Sequence, residues 1–279
     1  MKRNLIILML LGMAVAASMY LASCSEKSTL GSSGGISTGD TTGLVIAGHL
    51  AAADFPDIPS TYIDAVKNNY RIFYGHTSHG SQIVTGMSML RDSFPSLDFN
   101  NGEGTLRLTE ESDDLGGTGD TSWAPITRQV LNDQGSDFNV VIWSWCGGCS
   151  DNTEAGINTY LNKFAELEAD YPNVVFVYMT GHLDGTGVDG NLYARNNQIR
   201  AYCEANGKIL FDFADVESYD PDGNYYPDET DACAWCSTWC STHECFDCGG
   251  CAHSHCFNCY QKGRAFWWMM ARIAGWDGN

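Results

Sequence analysis

The sequence predicts an α/β fold: a doubly wound three-layer α/β/α sandwich on a parallel sheet, with a cysteine-rich insertion near its end. Two observations predict the sandwich. The strand candidates at 138–145 and 173–179 are short, nearly continuous apolar runs, as expected of strands buried on both faces. Helical patterns fall between the strand candidates, and that alternation is the signature of parallel crossover units.

The elements follow in order. Residues 59–69 form a short helix with Pro59 at its start, where proline is tolerated. Residues 71–74 read as the first strand and 81–91 as a helix weakened by Gly86. Short β candidates lie at 97–99 and 105–108, followed by an acidic, glycine-rich loop over 110–120. A helix is expected at 123–131, with Pro125 in its first turn. The segment 152–171 is the clearest helix, because Ile157, Tyr160, Leu161, Phe164 and Leu167 recur at spacings of three and four. Residues 192–206 are helical, with Gly207 as the C-terminal cap. Residues 208–213 form the last strand, and 260–274 a closing helix with an aromatic face.

The N-terminus is a targeting segment. Lys2 and Arg3 precede an almost continuous apolar run over 4–20, and Leu21-Ala22-Ser23-Cys24 closes it. This resembles a bacterial lipoprotein signal peptide, residues 1–23. The resemblance implies cleavage before Cys24, lipidation of that cysteine, and a cell-envelope location on a lipid anchor. Residues 24–43 are rich in Ser, Gly and Thr and read as a flexible tether. Residues 44–279 are long enough for one sizeable domain. The chain has 34 acidic and 15 basic residues, a formal net charge of −19. That balance argues against a nucleic-acid partner, which needs a basic footprint.

A parallel sheet gathers its strand C-termini on one edge, where open α/β folds bind ligands. The first strand delivers Gly75-His76-Thr77-Ser78-His79-Gly80, and the third delivers Cys146-Gly147-Gly148-Cys149. The fourth brings His182 and Asp184, and the last brings Asp212, Asp215 and Glu217. A serine among histidines at a strand-to-helix turn suits nucleophilic catalysis, which needs a base oriented by a carboxylate. The same residues also have structural readings: Ser78 as a helix cap, His182 as a turn ligand, Asp212 as a cap.

Four blocks carry a family resemblance: the Ser78 segment after the first strand, Val-Val-Ile-Trp-Ser-Trp-Cys146-Gly147-Gly148 after the third, Ile209-Leu210-Phe211-Asp212 as the last strand, and Cys251-Ala252-His253-Ser254-His255 before the closing helix. In order and topology they resemble the SGNH (GDSL-like) hydrolases, a family of esterases and deacetylases, and the resemblance implies a parallel, flavodoxin-like sheet. The resemblance implies Ser78 as nucleophile and His255 or His253 as base, with Asp247 the nearest acid. It also implies an oxyanion hole from Gly116 or Gly117 and Asn152. The departures are Thr77 where the family has Asp, no Gly-X-Asn-Asp in the third block, and no Asp-X-X-His at the end. An acyl ester, small or on a polysaccharide, is the substrate class the resemblance implies, with no cofactor required. The competing reading is a surface binding or metal-handling lipoprotein on the same sheet. A further variant makes His76, His79, His182 and Asp184 a catalytic metal site.

Within 218–259 the chain changes character. Cys233, Cys236, Cys240, Cys245, Cys248, Cys251, Cys256 and Cys259 are interleaved with His243, His253 and His255. Eight cysteines can make two four-thiolate zinc sites or four disulfides. An extracytoplasmic location favours disulfides. With Cys24 lipidated, eleven of the twelve cysteines remain, so at least one, Cys146 or Cys203, is left over. Asp220, Asp222, Asn224, Asp228, Glu229 and Asp231 read as a turn first and a calcium loop second.

Overall fold

A computed structural model describes residues 43–279. The signal, Cys24 and most of the tether lie outside the described residues. Six parallel strands form one sheet: β1 (Val45–Ala47), β2 (Arg71–Gly75), β3 (Arg107–Glu111), β4 (Val140–Trp143), β5 (Val175–Met179) and β6 (Ile209–Phe211). Their order is β1-β6-β5-β4-β2-β3. From β2 onward this is the flavodoxin-like order, with the short β1 added at one edge.

The pleat sends alternate residues to opposite faces. Ile72, Tyr74, Val140, Ile142, Val177 and Met179 pack towards the closing helix α9 (Cys256–Ile273), along with α1 (His49–Asp54), α2 (Ser60–Asn69) and α3 (Ser81–Ser93). Phe73, Val141, Trp143, Phe176, Tyr178 and Leu210 pack on the other face. There they meet α4 (Trp123–Asn132), α5 (Glu154–Asp170) and α6 (Asn191–Asn206). Two cores on one sheet make the expected three layers. The short helices α7 (Phe213–Ser218) and α8 (Ala234–Cys240) complete the chain.

Some boundaries differ from the sequence reading. The second strand lies at Arg107–Glu111, inside the stretch read as β candidate and acidic loop; of the earlier segment, only a Phe99–Leu106 bridge forms. Because β3 is an edge strand, only Leu108 among its residues is buried, and charged side chains suit an exposed edge. The strand β1 precedes the predicted first strand. The closing helix starts four residues early, at Cys256, because the His255 side chain accepts from the Phe257 N–H as its N-cap.

Gly86 sits inside α3 because α9 crosses it there. A methyl group at Gly86 would lie 1.8 Å from the Cys259 carbonyl oxygen and 2.7 Å from the Gly263 nitrogen. Backbone cannot yield as a side chain can. Gly86→Ala is therefore expected to cost about 2–3 kcal/mol, the upper range for overpacking, read as a fall in denaturation midpoint. An unchanged midpoint would show that the helices separate freely.

The cysteine-rich segment is closed by four disulfides: Cys233–Cys236, Cys240–Cys245, Cys248–Cys256 and Cys251–Cys259. A small core of Trp235, Phe257, Cys233 and Cys236 lies beneath them. Cys146, Cys149 and Cys203 are the free cysteines among the described residues. The Asp220 segment is a turn: its carboxylate accepts from the Asp222 and Asn224 N–H groups and from the Tyr226 hydroxyl.

Candidate active site

The chain leaves β2 for β3 on one side and returns to β4 on the other. This places the topological switch point between β2 and β4, and the crevice outside their carboxyl ends is the expected ligand site. Two segments meet there. Residues 76–80 turn from β2 into α3, and residues 144–149 leave β4 through one turn of 3-10 helix, Gly147–Cys149.

On these segments the histidine beside Ser78 faces a cysteine, not the serine. The His79 ring is buried, and its Nδ1 lies 3.2 Å from the Cys146 sulfur. Its Nε2 lies 2.9 Å from an Asp231 carboxylate oxygen. An ionised carboxylate only accepts, so Nε2 carries the hydrogen and neutral His79 turns its Nδ1 lone pair towards the Cys146 thiol. Burial holds the His79 pKa below the usual imidazole value. The neighbouring His182 adds to this, and Asp231 opposes it. His79 thus waits in the neutral form that a base requires. Ser78, half-buried, has the Cys146 sulfur 3.7 Å from its hydroxyl oxygen and no histidine nitrogen within hydrogen-bonding distance.

The other expected site residues fall into two groups. His182 and His253 join the site: His182 stacks on His79 with ring centroids 3.7 Å apart and planes parallel, and His253 stacks at 4.6 Å. His182 Nδ1 donates to the Leu183 carbonyl at 2.8 Å, leaving Nε2 buried without a partner. The rest are engaged elsewhere. His255 caps α9 instead of facing Ser78. Asp247 is exposed and accepts from the Gly249 N–H. His76 turns to Glu110, 2.9 Å away at the β3 edge. Asp184 closes its own turn through Thr186. Asp212 takes two hydrogen bonds from Arg200 and one from Thr180, while Asp215 pairs with His49 at 2.6 Å.

Two of the three expected oxyanion donors, Gly116 and Asn152, are also committed. The Gly116 N–H donates to Asp114, and the Asn152 side-chain amide donates to the Gly148 carbonyl. The Gly117 carbonyl accepts from the Asp120 N–H. The Gly116 carbonyl presses on the β4 turn so closely that a methyl group at Gly148 would lie 1.7 Å from it. Only glycine fits there, and the contact fixes the turn that carries Cys146.

A buried ion pair ties the histidine-bearing segments together. Lys262 on α9 is fully buried, its Nζ 2.7 Å from the equally buried Glu217. The same ammonium group donates to Gln82, three residues beyond His79. Gln82 donates to the Ala252 carbonyl, next to His253, and Glu217 accepts the Leu183 N–H, next to His182. One polar cluster thus anchors the segments of His79, His182 and His253.

One donor set among the described residues suits a metal by proximity: ligand atoms of His79, His182 and Asp231 lie within 4.8 Å of one another. Their orientation does not fit. Zinc sits about 2.0–2.1 Å from a ligating nitrogen, in the plane of the ring. Two parallel rings 3.7 Å apart cannot both hold it in plane.

In the sequence Cys146 reads as a leftover thiol and Asp231 as part of an acidic turn, and neither reads as a partner of His79. The available signals were the odd cysteine count and the place of Cys146 directly after a buried strand. Asp231, beside the first cysteine of the insertion, gave none.

No family model matches the sequence, and neither does any curated protein. Among solved structures, the chain is similar to a crystal structure of a "putative acylhydrolase" from Bacteroides fragilis. The likeness has a TM-score of 0.35 and 12% identity, over 63% of this chain and 81% of that one.

Proposed function

We propose that this chain is an acyl-ester hydrolase with Cys146 as nucleophile, His79 as base and Asp231 as the carboxylate that orients it. The observation that carries the reading is the Cys146–His79–Asp231 relay, at 3.2 and 2.9 Å, at the switch point of the sheet. Proximity of nucleophile, base and orienting group is the general signature of an activated nucleophile.

In this reading the Cys146 proton passes to His79 Nδ1 as the sulfur attacks the acyl carbon. The tetrahedral intermediate collapses, the His79 proton goes to the departing alkoxide, and a thioester on Cys146 remains. His79 then takes a proton from water, whose oxygen attacks the thioester; as the acid leaves, His79 returns that proton to the departing Cys146 sulfur. The first N–H groups of a helical turn lack partners within it, so the turn opening at Gly147 supplies donors beside the sulfur for the developing oxyanion.

A cavity of about 220 Å³ is lined at one end by Leu183 and Asp184, the residues after His182, though Cys146, His79 and Asp231 are not among its lining residues. Tyr193, Tyr219, Tyr225 and Asp215 line it. Aromatic faces with a few polar groups suit the hydroxyl-rich alcohol of a carbohydrate ester. With the signal over residues 1–23 and a lipid on Cys24, this reading puts the enzyme on a lipid anchor at the bacterial cell envelope.

The test compares Cys146→Ala and Ser78→Ala on short acyl esters, with iodoacetamide and a serine-reactive phosphonate as labels. Cys146→Ala should abolish turnover. Ser78→Ala should lose less than the roughly 10²–10⁴-fold that a proton-transfer group contributes, and iodoacetamide should map to Cys146. Labelling of Ser78 by the phosphonate, with activity surviving in Cys146→Ala, would return the nucleophile to the serine. No hydrolysis by folded protein would favour the binding-protein reading.

A further inference from the structure

We infer that Cys146 and Cys149 form a reversible redox pair, in which an external disulfide converts the reactive thiol into an internal disulfide and switches the site off. The inference rests on the reading of Cys146 as the reactive thiol and goes beyond it, because it gives Cys149 a task.

The two cysteines begin and end one turn of 3-10 helix, Cys146-Gly147-Gly148-Cys149. A four-residue turn brings its end Cα atoms within about 7 Å, the upper limit of what a disulfide spans. Cys146 caps the turn with a non-helical backbone and turns its sulfur to His79, while Cys149 ends the turn with its sulfur on Asn196, so bridging them means rotating both side chains. The molecule holds its own precedent: Cys233 and Cys236, at the same spacing at the head of α8, close a disulfide with Cα atoms 5.4 Å apart.

The two thiols differ as an attacking and a resolving cysteine do. Cys146 is partly exposed and in contact with His79. Cys149 is fully buried, and burial pushes its pKa up to about 12. Its sulfur donates to Asn196, whose amide also brackets the Gly181 backbone at 2.8 and 3.2 Å. Drawing Cys149 towards Cys146 therefore removes a contact beneath the segment that carries His182, while Cys146 leaves His79.

The exchange balances with a small-molecule disulfide as oxidant. The Cys146 thiolate attacks one sulfur of that disulfide, forming a mixed disulfide and expelling one thiolate. Cys149, its proton lost to solvent as the turn opens, attacks the Cys146 sulfur and expels the second. Two protein thiols lose two electrons and two protons, and the external disulfide becomes two thiols.

The experiment treats the purified chain with oxidised glutathione, then alkylates and maps it by mass spectrometry. The expected product has lost two hydrogens, carries no glutathione, and maps to a Cys146–Cys149 bridge. Iodoacetamide labelling of Cys146 should fall at least about tenfold, since only the thiolate reacts, and reduced glutathione should restore it. Cys149→Ser, or Cys149→Ala if the serine is not tolerated, should stop at glutathione on Cys146. Wild-type protein that stops at the same adduct, or keeps both thiols alkylatable, overturns the inference. The mass readout needs no turnover: a bridge without hydrolysis sinks only the hydrolase reading, and hydrolysis without a bridge sinks only the redox pair.

Discussion

Asp231→Asn is expected to lower kcat/KM for ester hydrolysis by about 10³–10⁴-fold, the scale seen when the orienting acid of such a triad becomes an amide. The cause is the tautomer. Asp231 accepts from His79 Nε2, which leaves the Nδ1 lone pair facing Cys146. An amide nitrogen at the same place donates, so Nε2 becomes the acceptor and the hydrogen moves to Nδ1. The ring then points an N–H at the thiol and cannot take its proton. Asp231 is half-buried, and the substitution keeps its shape, so the melting temperature should change little.

The pH dependence follows from the same ring. Burial lowers the His79 pKa in the folded chain, so the folded state binds fewer protons than the unfolded state just below the ordinary imidazole value. This contribution to stability is complete above the unfolded pKa, about 6.5, and is lost as pH falls from there through the folded value. Alkylation of Cys146 in the wild type should persist to mildly acidic pH and fall only below the folded pKa. In Asp231→Asn it should be slow throughout. An alkylation profile identical in the two proteins would remove Asp231 from the relay.

The sheet was legible because its central strands are buried on both faces. Val140–Trp143 and Val175–Met179 could only be apolar runs, and the long helix between them carries a regular stripe. The edges were less legible for the converse reason: β3 is half solvent-facing and reads as an acidic loop. The site was legible as an address but not as an assignment. Both histidine and cysteine were visible at the ends of β2 and β4. Which side chain the His79 ring faces depends on a turn that brings together residues 67 apart in the chain. Its acid comes from a segment 152 residues away that has neither strand nor helix periodicity at that point. His255 was conspicuous in sequence because it precedes a helix, and that position is why it is spent as a cap.

Glu217→Ala should cost about 3–5 kcal/mol, the usual consequence of stranding one charge of a buried pair. In a domain of this size that is a fall of roughly 6–20 °C in melting temperature. Burial already pulls the Lys262 pKa down, and Glu217 is the main opposing influence. Without Glu217 the ammonium keeps only Gln82 and the Phe213 ring, 4.0 Å away, and the Leu183 N–H loses its acceptor. The double substitution Glu217→Leu with Lys262→Met separates the two tasks of the pair. Well-packed apolar replacements of a buried ion pair are often neutral or stabilising, so most of the lost melting temperature should return. The Leu183 N–H stays unpaired, however, and the stacked His182 loses its anchor against His79. Ester hydrolysis should therefore remain depressed in a protein that has regained its stability. Full recovery of both would show that the pair only holds the fold. Recovery of stability alone identifies Glu217 as a positioning residue for the histidine stack.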